Sequence, residues 1–191
     1  MRWDFQALHC KSNRSLSPSR PSDSSFQEAQ RGVLHLLPSR MKNDRKGTAY
    51  VVAQIVLIGA YLLAWGKGAF EIPNALSWIA VAGFIFGLAL MALAAMQLNK
   101  NLSPFPTPRK QSRLITSGAY KYVRHPIYTG LSLAAFAWAI ERGNSIQLSL
   151  ATLLAGLLHF KAIHEEKLLI EVFEDYPDYQ SKTGRLMPRL F

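Results

Sequence analysis

Four long apolar runs dominate the chain from Thr48 onward, at 48–65, 75–98, 126–140 and 145–163. None alternates with a period of two over its length, so strands are excluded and helices expected. A hydrocarbon core of about 30 Å needs about 20 helical residues. The second run exceeds this, the first and fourth suffice, and the third is short. Helices satisfy their own backbone hydrogen bonds in lipid, which makes them the natural spanning element. The expected fold is an all-α integral membrane protein of about four transmembrane helices, forming a domain over 41–191.

The polar positions organise these spans. The connection E-R-G-N at 141–144 leaves room only for a tight antiparallel hairpin. Spans three and four must pack together, so the polar segments flanking them meet at one end. The tail, 164–191, is too charged to span. In it Leu168, Leu169, Val172, Phe173 and Tyr176 form one helical stripe with acids opposite. An amphipathic helix is expected there, lying at the interface or over the mouth of the bundle, and ended or restarted by Pro177. Residues 1–40 carry no such stripe. Their Ser-, Pro- and Arg-rich stretch KSNRSLSPSRPSDSSF reads as a disordered or targeting segment, although Asp4, Asp23 and Glu28 are unusual in a transit peptide. Met41 is an alternative start.

Charge sets the orientation. The 191 residues are 49% hydrophobic yet carry a net charge of +10. Basic residues lie before span one (Lys42, Arg45, Lys46), between spans two and three (Lys100, Arg109, Lys110, Arg113, Lys121, Arg124), and after span four (Lys167, Lys182, Arg185, Arg189). The two other connections are short and nearly neutral. The positive-inside rule then places both termini and the long second loop on the cytoplasmic side or its organellar equivalent. This explains the basicity without nucleic acid. The single cysteine, Cys10, excludes an intrachain disulfide. Gly59, Gly83, Gly87 and Gly156 are expected at close helix contacts in lipid.

Three polar groups converge on that mouth: 114–128, Lys161 with Glu165 and Glu166, and Arg185. Glu165 follows Lys161 by four residues and shares a face with Leu168, Leu169 and Val172. A carboxylate on an apolar face is costly when unpaired. Two readings stand: an ion pair with Lys161 or Arg124, or a buried anion for a cationic ligand. His125 sits at the cap of a helix opened by Pro126, beside Arg124 and Tyr128, where it is either structural or functional. His159 and His164 are five apart and no H-E-x-x-H occurs, so no metal is expected. No G-x-x-x-x-G-K or G-x-G-x-x-G is present, and no soluble nucleotide fold follows.

The stretch LITSGAYKYVRHPIYTG, followed by HEEKLLIEVFEDYPDYQSKTGRLMP, resembles the isoprenylcysteine carboxyl methyltransferase family and the broader membrane phospholipid methyltransferases. The likeness runs from about Ser112 to the C-terminus. It implies S-adenosyl-L-methionine as cofactor, bound at the cytoplasmic side by Leu114, Ile115, Tyr120, His125, Pro126, Ile127, Tyr128 and Glu165, with Glu166 beside them. It implies a catalytic role for Arg124 and His125, and a substrate-side role for Lys161 and Arg185. Lys161 stands where the family places an arginine, which keeps the charge but loses the bidentate fork. Phe173–Asp175 (FED) stands where the family often has Phe-Gly. The implied acceptor is lipophilic or small: a prenylcysteine, a lipid amine or a thiol, reached from the bilayer. The alternatives are a non-catalytic scaffold and a small transporter subunit. Clustering of Arg, His and Glu at one mouth, not midway along a span, disfavours the transporter.

Overall fold

The computed structural model describes residues 44–64, 66, 70–98 and 114–189. Residues 1–40, Trp65 and most of the basic second loop lie outside them. Among the described residues, five α-helices and one 3-10 turn follow in order: α1 (Arg45–Leu63), α2 (Asn74–Leu98), the turn Gly118–Lys121, α3 (Pro126–Glu141), α4 (Ser145–Val172) and α5 (Tyr176–Lys182). No extended strand occurs among the described residues.

Each boundary has a local cause. Asp44 caps α1 by accepting from Gly47 N–H at 3.0 Å. Pro73 precedes α2, and its carbonyl accepts from Leu76 and Ser77 N–H. Pro126 opens α3 as its first residue, where a missing N–H costs nothing. Gly143 ends the hairpin turn at φ +59°, a left-handed conformation that suits glycine. Asn144 then caps α4, its Oδ1 accepting from Ile146 and Gln147 N–H at 3.0 Å each. Its Nδ2 donates to Ala64 O at 3.0 Å, tying the end of α1 to the same turn.

Among the described residues, three helices, α1, α2 and α4, are long and apolar enough to cross a membrane. At 16 residues, α3 is about 24 Å long, shorter than the hydrocarbon core. The chain is an integral membrane protein. Its apolar outer face is what lipid requires: Val52, Ile55 and Val56 on α1, Trp78, Ile79 and Phe86 on α2, and Leu153 and Phe160 on α4 are all exposed.

One expected boundary is not found. The apolar run ending near Ile163 and the amphipathic stripe beyond it form one unbroken helix of 28 residues. It is about 42 Å long, so its last turns project past a core of about 30 Å. Nothing between Ile163 and Val172 breaks a helix, and the stripe continues the face that α4 buries. Pro177 lies in the first turn of the short α5, as a restart.

Packing runs in the order α1, α4, α3, α2. The α2–α3 seam is built from small residues. A Cβ on Gly87 would lie 2.7 Å from Gly130 O and 2.8 Å from Ala134 N, and one on Gly83 would touch Ala137. Gly59 and Gly156, expected at similar contacts, have nothing within 4 Å. Gly130 is the partner that the sequence reading did not name. Buried polar groups lock the other seams. Tyr61 Oη donates to Ala135 O at 2.7 Å, and Gln147 Nε2 to Tyr61 O at 3.2 Å.

Candidate active site

The loop before α3 and the tail after α4 are held side by side. Arg124 N–H donates to Gly184 O at 2.8 Å, His125 N–H to Arg185 O at 3.1 Å, and Gly184 N–H to Tyr122 O at 3.4 Å. This short parallel bridge, Val123 to Gly184, brings Arg124, His125 and Arg185 to the emerging end of α4. The end of α2 joins from the other side. Gln97 Oε1 accepts from Ala119 N–H at 2.9 Å, and Tyr120 Oη donates to Ala94 O at 3.4 Å. Tyr179 Oη donates to Tyr120 O at 2.6 Å, closing the ring of elements.

Glu165 and Glu166 are neighbours in sequence with different environments. Glu166 is buried and fully engaged. Its Oε1 lies 2.8 Å from Arg124 Nε, and its Oε2 accepts from Arg185 Nε at 3.0 Å, Arg185 Nη2 at 2.9 Å and Gln180 Nε2 at 3.2 Å. Arg124 extends the cluster into the tail through Nη1, which donates to the carbonyls of Gln180 and Thr183. The hydrogen bonds that Arg185 donates to Glu166 hold its guanidinium more firmly protonated than usual. This carboxylate fixes the tail.

Glu165 faces the other way. Its Oε1 accepts from Tyr128 Oη at 2.6 Å, and its Oε2 lies 3.4 Å from His125 Nδ1. The His125 and Tyr128 rings stack with planes 2° apart and centroids 5.4 Å apart. His125 is buried, and its Nε2, 3.4 Å from Glu166 Oε1, lacks hydrogen-bonding geometry to it. Two parallel rings and a carboxylate supported by a phenol make a surface suited to a cation. Lys161, 2% exposed, has Nζ 5.1 Å from the Tyr128 centroid and 2.8 Å from Gln54 Oε1 on α1.

The surrounding phenols stay neutral. Burial, with the nearby Tyr179 and Glu165, pushes Tyr120 up to about 12. Burial likewise pushes Tyr179 up to about 12 and Tyr176 well above its ordinary value. None is an anion at neutral pH.

The expected site residues thus fall into three groups. Tyr120, His125, Pro126 and Tyr128 gather around Glu165, with Leu114, Ile115 and Ile127 half-buried on the segment that leads there and on the first turn of α3. Arg124, Arg185 and Glu166 form the tail cluster. Lys161 lies on the α1 side. Gln54, Tyr179, Gln180 and Thr183 were not anticipated. Gln54 left a trace, as the only amide in the first apolar run. The other three sit in an unremarkable polar tail and left none. Among the described residues, no group of three His, Cys, Asp or Glu is placed to hold a metal ion.

Known proteins resemble the chain over much of its length. The chain is 29% identical over 164 residues to a protein-S-isoprenylcysteine O-methyltransferase of Schizosaccharomyces pombe, covering 74% of this chain and 68% of that protein. It is 28% identical over 159 residues to a nickel-cobalt-cadmium resistance protein, NccN, of Alcaligenes xylosoxydans, covering 81% and 69%. It is 25% identical over 178 residues to a cobalt-zinc-cadmium resistance protein, CzcN, of Cupriavidus metallidurans, covering 92% and 74%. Residues 76–176, from the second helix through the paired glutamates to Tyr176, match the phospholipid methyltransferase family, and the chain belongs to that family of membrane methyltransferases.

Proposed function

We propose that the protein transfers a methyl group from S-adenosyl-L-methionine to a lipophilic acceptor, in the manner of a prenylcysteine carboxyl methyltransferase. The observation that carries this is the Tyr128–Glu165–His125 arrangement: an anionic, aromatic-walled site at the polar end of the spans. The residues fit the cofactor's chemistry. Glu165 matches its ammonium or its ribose hydroxyls, and the stacked His125 and Tyr128 rings match its sulfonium or adenine face. His125 Nε2, buried and without a hydrogen bond, is a polar atom suited to its carboxylate. When bound, the cofactor supplies an activated methyl group on a sulfonium. The protein's part is alignment and exclusion of water, since in-line displacement needs placement more than acid catalysis.

Leu114, Ile115, Tyr120, Pro126 and Ile127 wall the site. Arg124, Glu166 and Arg185 hold the tail against it and so shape it from behind. The basic loops support a site on the cytoplasmic side or its organellar equivalent. The relative from Schizosaccharomyces pombe makes a prenylcysteine the first acceptor to test. Purified protein in detergent should bind S-adenosylhomocysteine saturably. It should also move labelled methyl from S-adenosyl-L-methionine to one of three acceptors: N-acetyl-S-farnesylcysteine, phosphatidylethanolamine or an alkyl thiol. Absence of cofactor binding overturns the reading. Binding without transfer to any of the three leaves a non-catalytic scaffold instead.

A further inference from the structure

The α1 helix lies outside the stretch that matches the family, yet it reaches the candidate site through one side chain. Gln54 Oε1 accepts from Lys161 Nζ at 2.8 Å. The depth of this contact is unusual. Asp44 pairs with His164, only three residues beyond Lys161, and Gln54 lies ten residues further along α1. Ten helical residues are about 15 Å. Lysines near a span end ordinarily extend toward water. Lys161 instead turns its ammonium back into the bundle, across the face of the Tyr128 ring that bonds Glu165.

This fixes the orientation of the Gln54 amide. An ammonium has donors only, so the amide must give it the oxygen. The planar NH2 end therefore points away from Lys161, and no protein group accepts from it among the described residues. Gln54 is half-buried on α1, the helix packed against α4. A cation bonded to the amide oxygen draws charge from the nitrogen and strengthens its donors.

We propose that Gln54, polarised from behind by Lys161, is the residue that binds an anionic group on the methyl acceptor. The inference rests on the methyltransferase reading and narrows it. The acceptor carries a carboxylate or a comparable anion, and an amine headgroup is disfavoured by the Gln54 donors and the Lys161 charge together. Lys161 is the positioning residue, and Gln54 touches the acceptor.

The test uses the whole chain in detergent, with N-acetyl-S-farnesylcysteine as the anionic probe and farnesylamine, which carries no anionic group, as the amine probe. Two variants are compared. Gln54→Met keeps the volume and removes the amide. Gln54→Glu keeps the shape and replaces the NH2 donors with an oxygen that pairs with Lys161. In both, affinity of the donor-free protein for N-acetyl-S-farnesylcysteine should fall at least tenfold, and KM should rise with it. S-adenosylhomocysteine affinity should stay within twofold. Gln54→Met should add nothing further in a Lys161→Met background, because the two residues act as one unit. Unchanged acceptor affinity in either variant overturns the proposal and leaves the methyltransferase reading intact. So does better use of farnesylamine than of the prenylcysteine by the unaltered protein. Loss of S-adenosylhomocysteine binding by the unaltered protein strikes the parent reading instead.

Discussion

Tyr128 and Glu165 lie on adjacent antiparallel helices and share a 2.6 Å hydrogen bond at the polar end of the spans. The contact holds Glu165 in place beside the stacked His125 ring. Replacing Glu165 by Gln preserves shape and removes the charge. S-adenosylhomocysteine should then bind at least about tenfold more weakly, a loss of about 1.4 kcal/mol or more, because one charge-assisted contact goes. A calorimetric titration in detergent measures this. Unchanged affinity would make Glu165 a packing residue.

Glu166 should respond differently. It is the common partner of Arg124, Arg185 and Gln180, and Arg124 in turn holds the carbonyls of Gln180 and Thr183. Breaking a buried pair by removing one charge costs about 3–5 kcal/mol, since the other charge stays buried. Glu166→Gln should therefore lower the melting temperature and expose the tail beyond Val172 to protease. Glu165→Gln should do neither. Limited proteolysis of both variants tells them apart, and equal sensitivity would deny Glu166 its role in holding the tail.

The contrast between these two glutamates marks what the sequence could and could not tell. A four-residue hairpin forces spans three and four together, so the meeting of R-H-P-x-Y with the paired glutamates followed from connection length alone. Which glutamate faces His125 and Tyr128, and which the tail, did not follow. That depends on the register of the tail against Arg124, a non-local pairing between Val123 and Gly184. Gln54 was hidden for a similar reason. Its importance comes from the direction in which Lys161 turns, and no local pattern encodes that. The continuous α4 was missed because a change of composition near Ile163 marks where a helix leaves lipid, not where it ends. Gly59 and Gly156 were misplaced because helices that are apolar all round show no face. In such helices periodicity cannot say which glycine meets a neighbour.

Gly87 gives a direct test of the α2–α3 seam. An added Cβ would meet backbone atoms at 2.7 and 2.8 Å, which cannot rotate away. Gly87→Ala should push α2 from α3 and destabilise the protein by roughly 1–3 kcal/mol. The end of α2 also supports the site loop through Ala94 and Gln97, so cofactor affinity should fall as well. Gly59→Ala, with nothing within 4 Å, should cost no stability. Thermal unfolding of the two variants side by side decides it. A stable Gly87→Ala would mean that the two helices do not cross this closely.

The start of α1 should be sensitive to acid. Asp44 accepts from Gly47 N–H at 3.0 Å and lies 2.7 Å from His164 Nε2. Burial alone would raise its carboxyl, but the bonds from Gly47 and His164 outweigh burial and hold it below the ordinary value of 3.8. A carboxyl depressed on folding contributes stability that is complete above its unfolded value. That contribution is lost as pH falls from there through the folded value. Between about pH 5 and pH 3, the first turn of α1 should therefore loosen from α4. Hydrogen exchange of amides 47–50, corrected for the intrinsic pH dependence of exchange, measures this. Asp44→Asn keeps a capping oxygen, so it should leave the helix start formed at neutral pH and flatten the acid limb. An acid limb of the same depth in that variant would place the sensitivity on another group and leave the Asp44–His164 contact without a stabilising role.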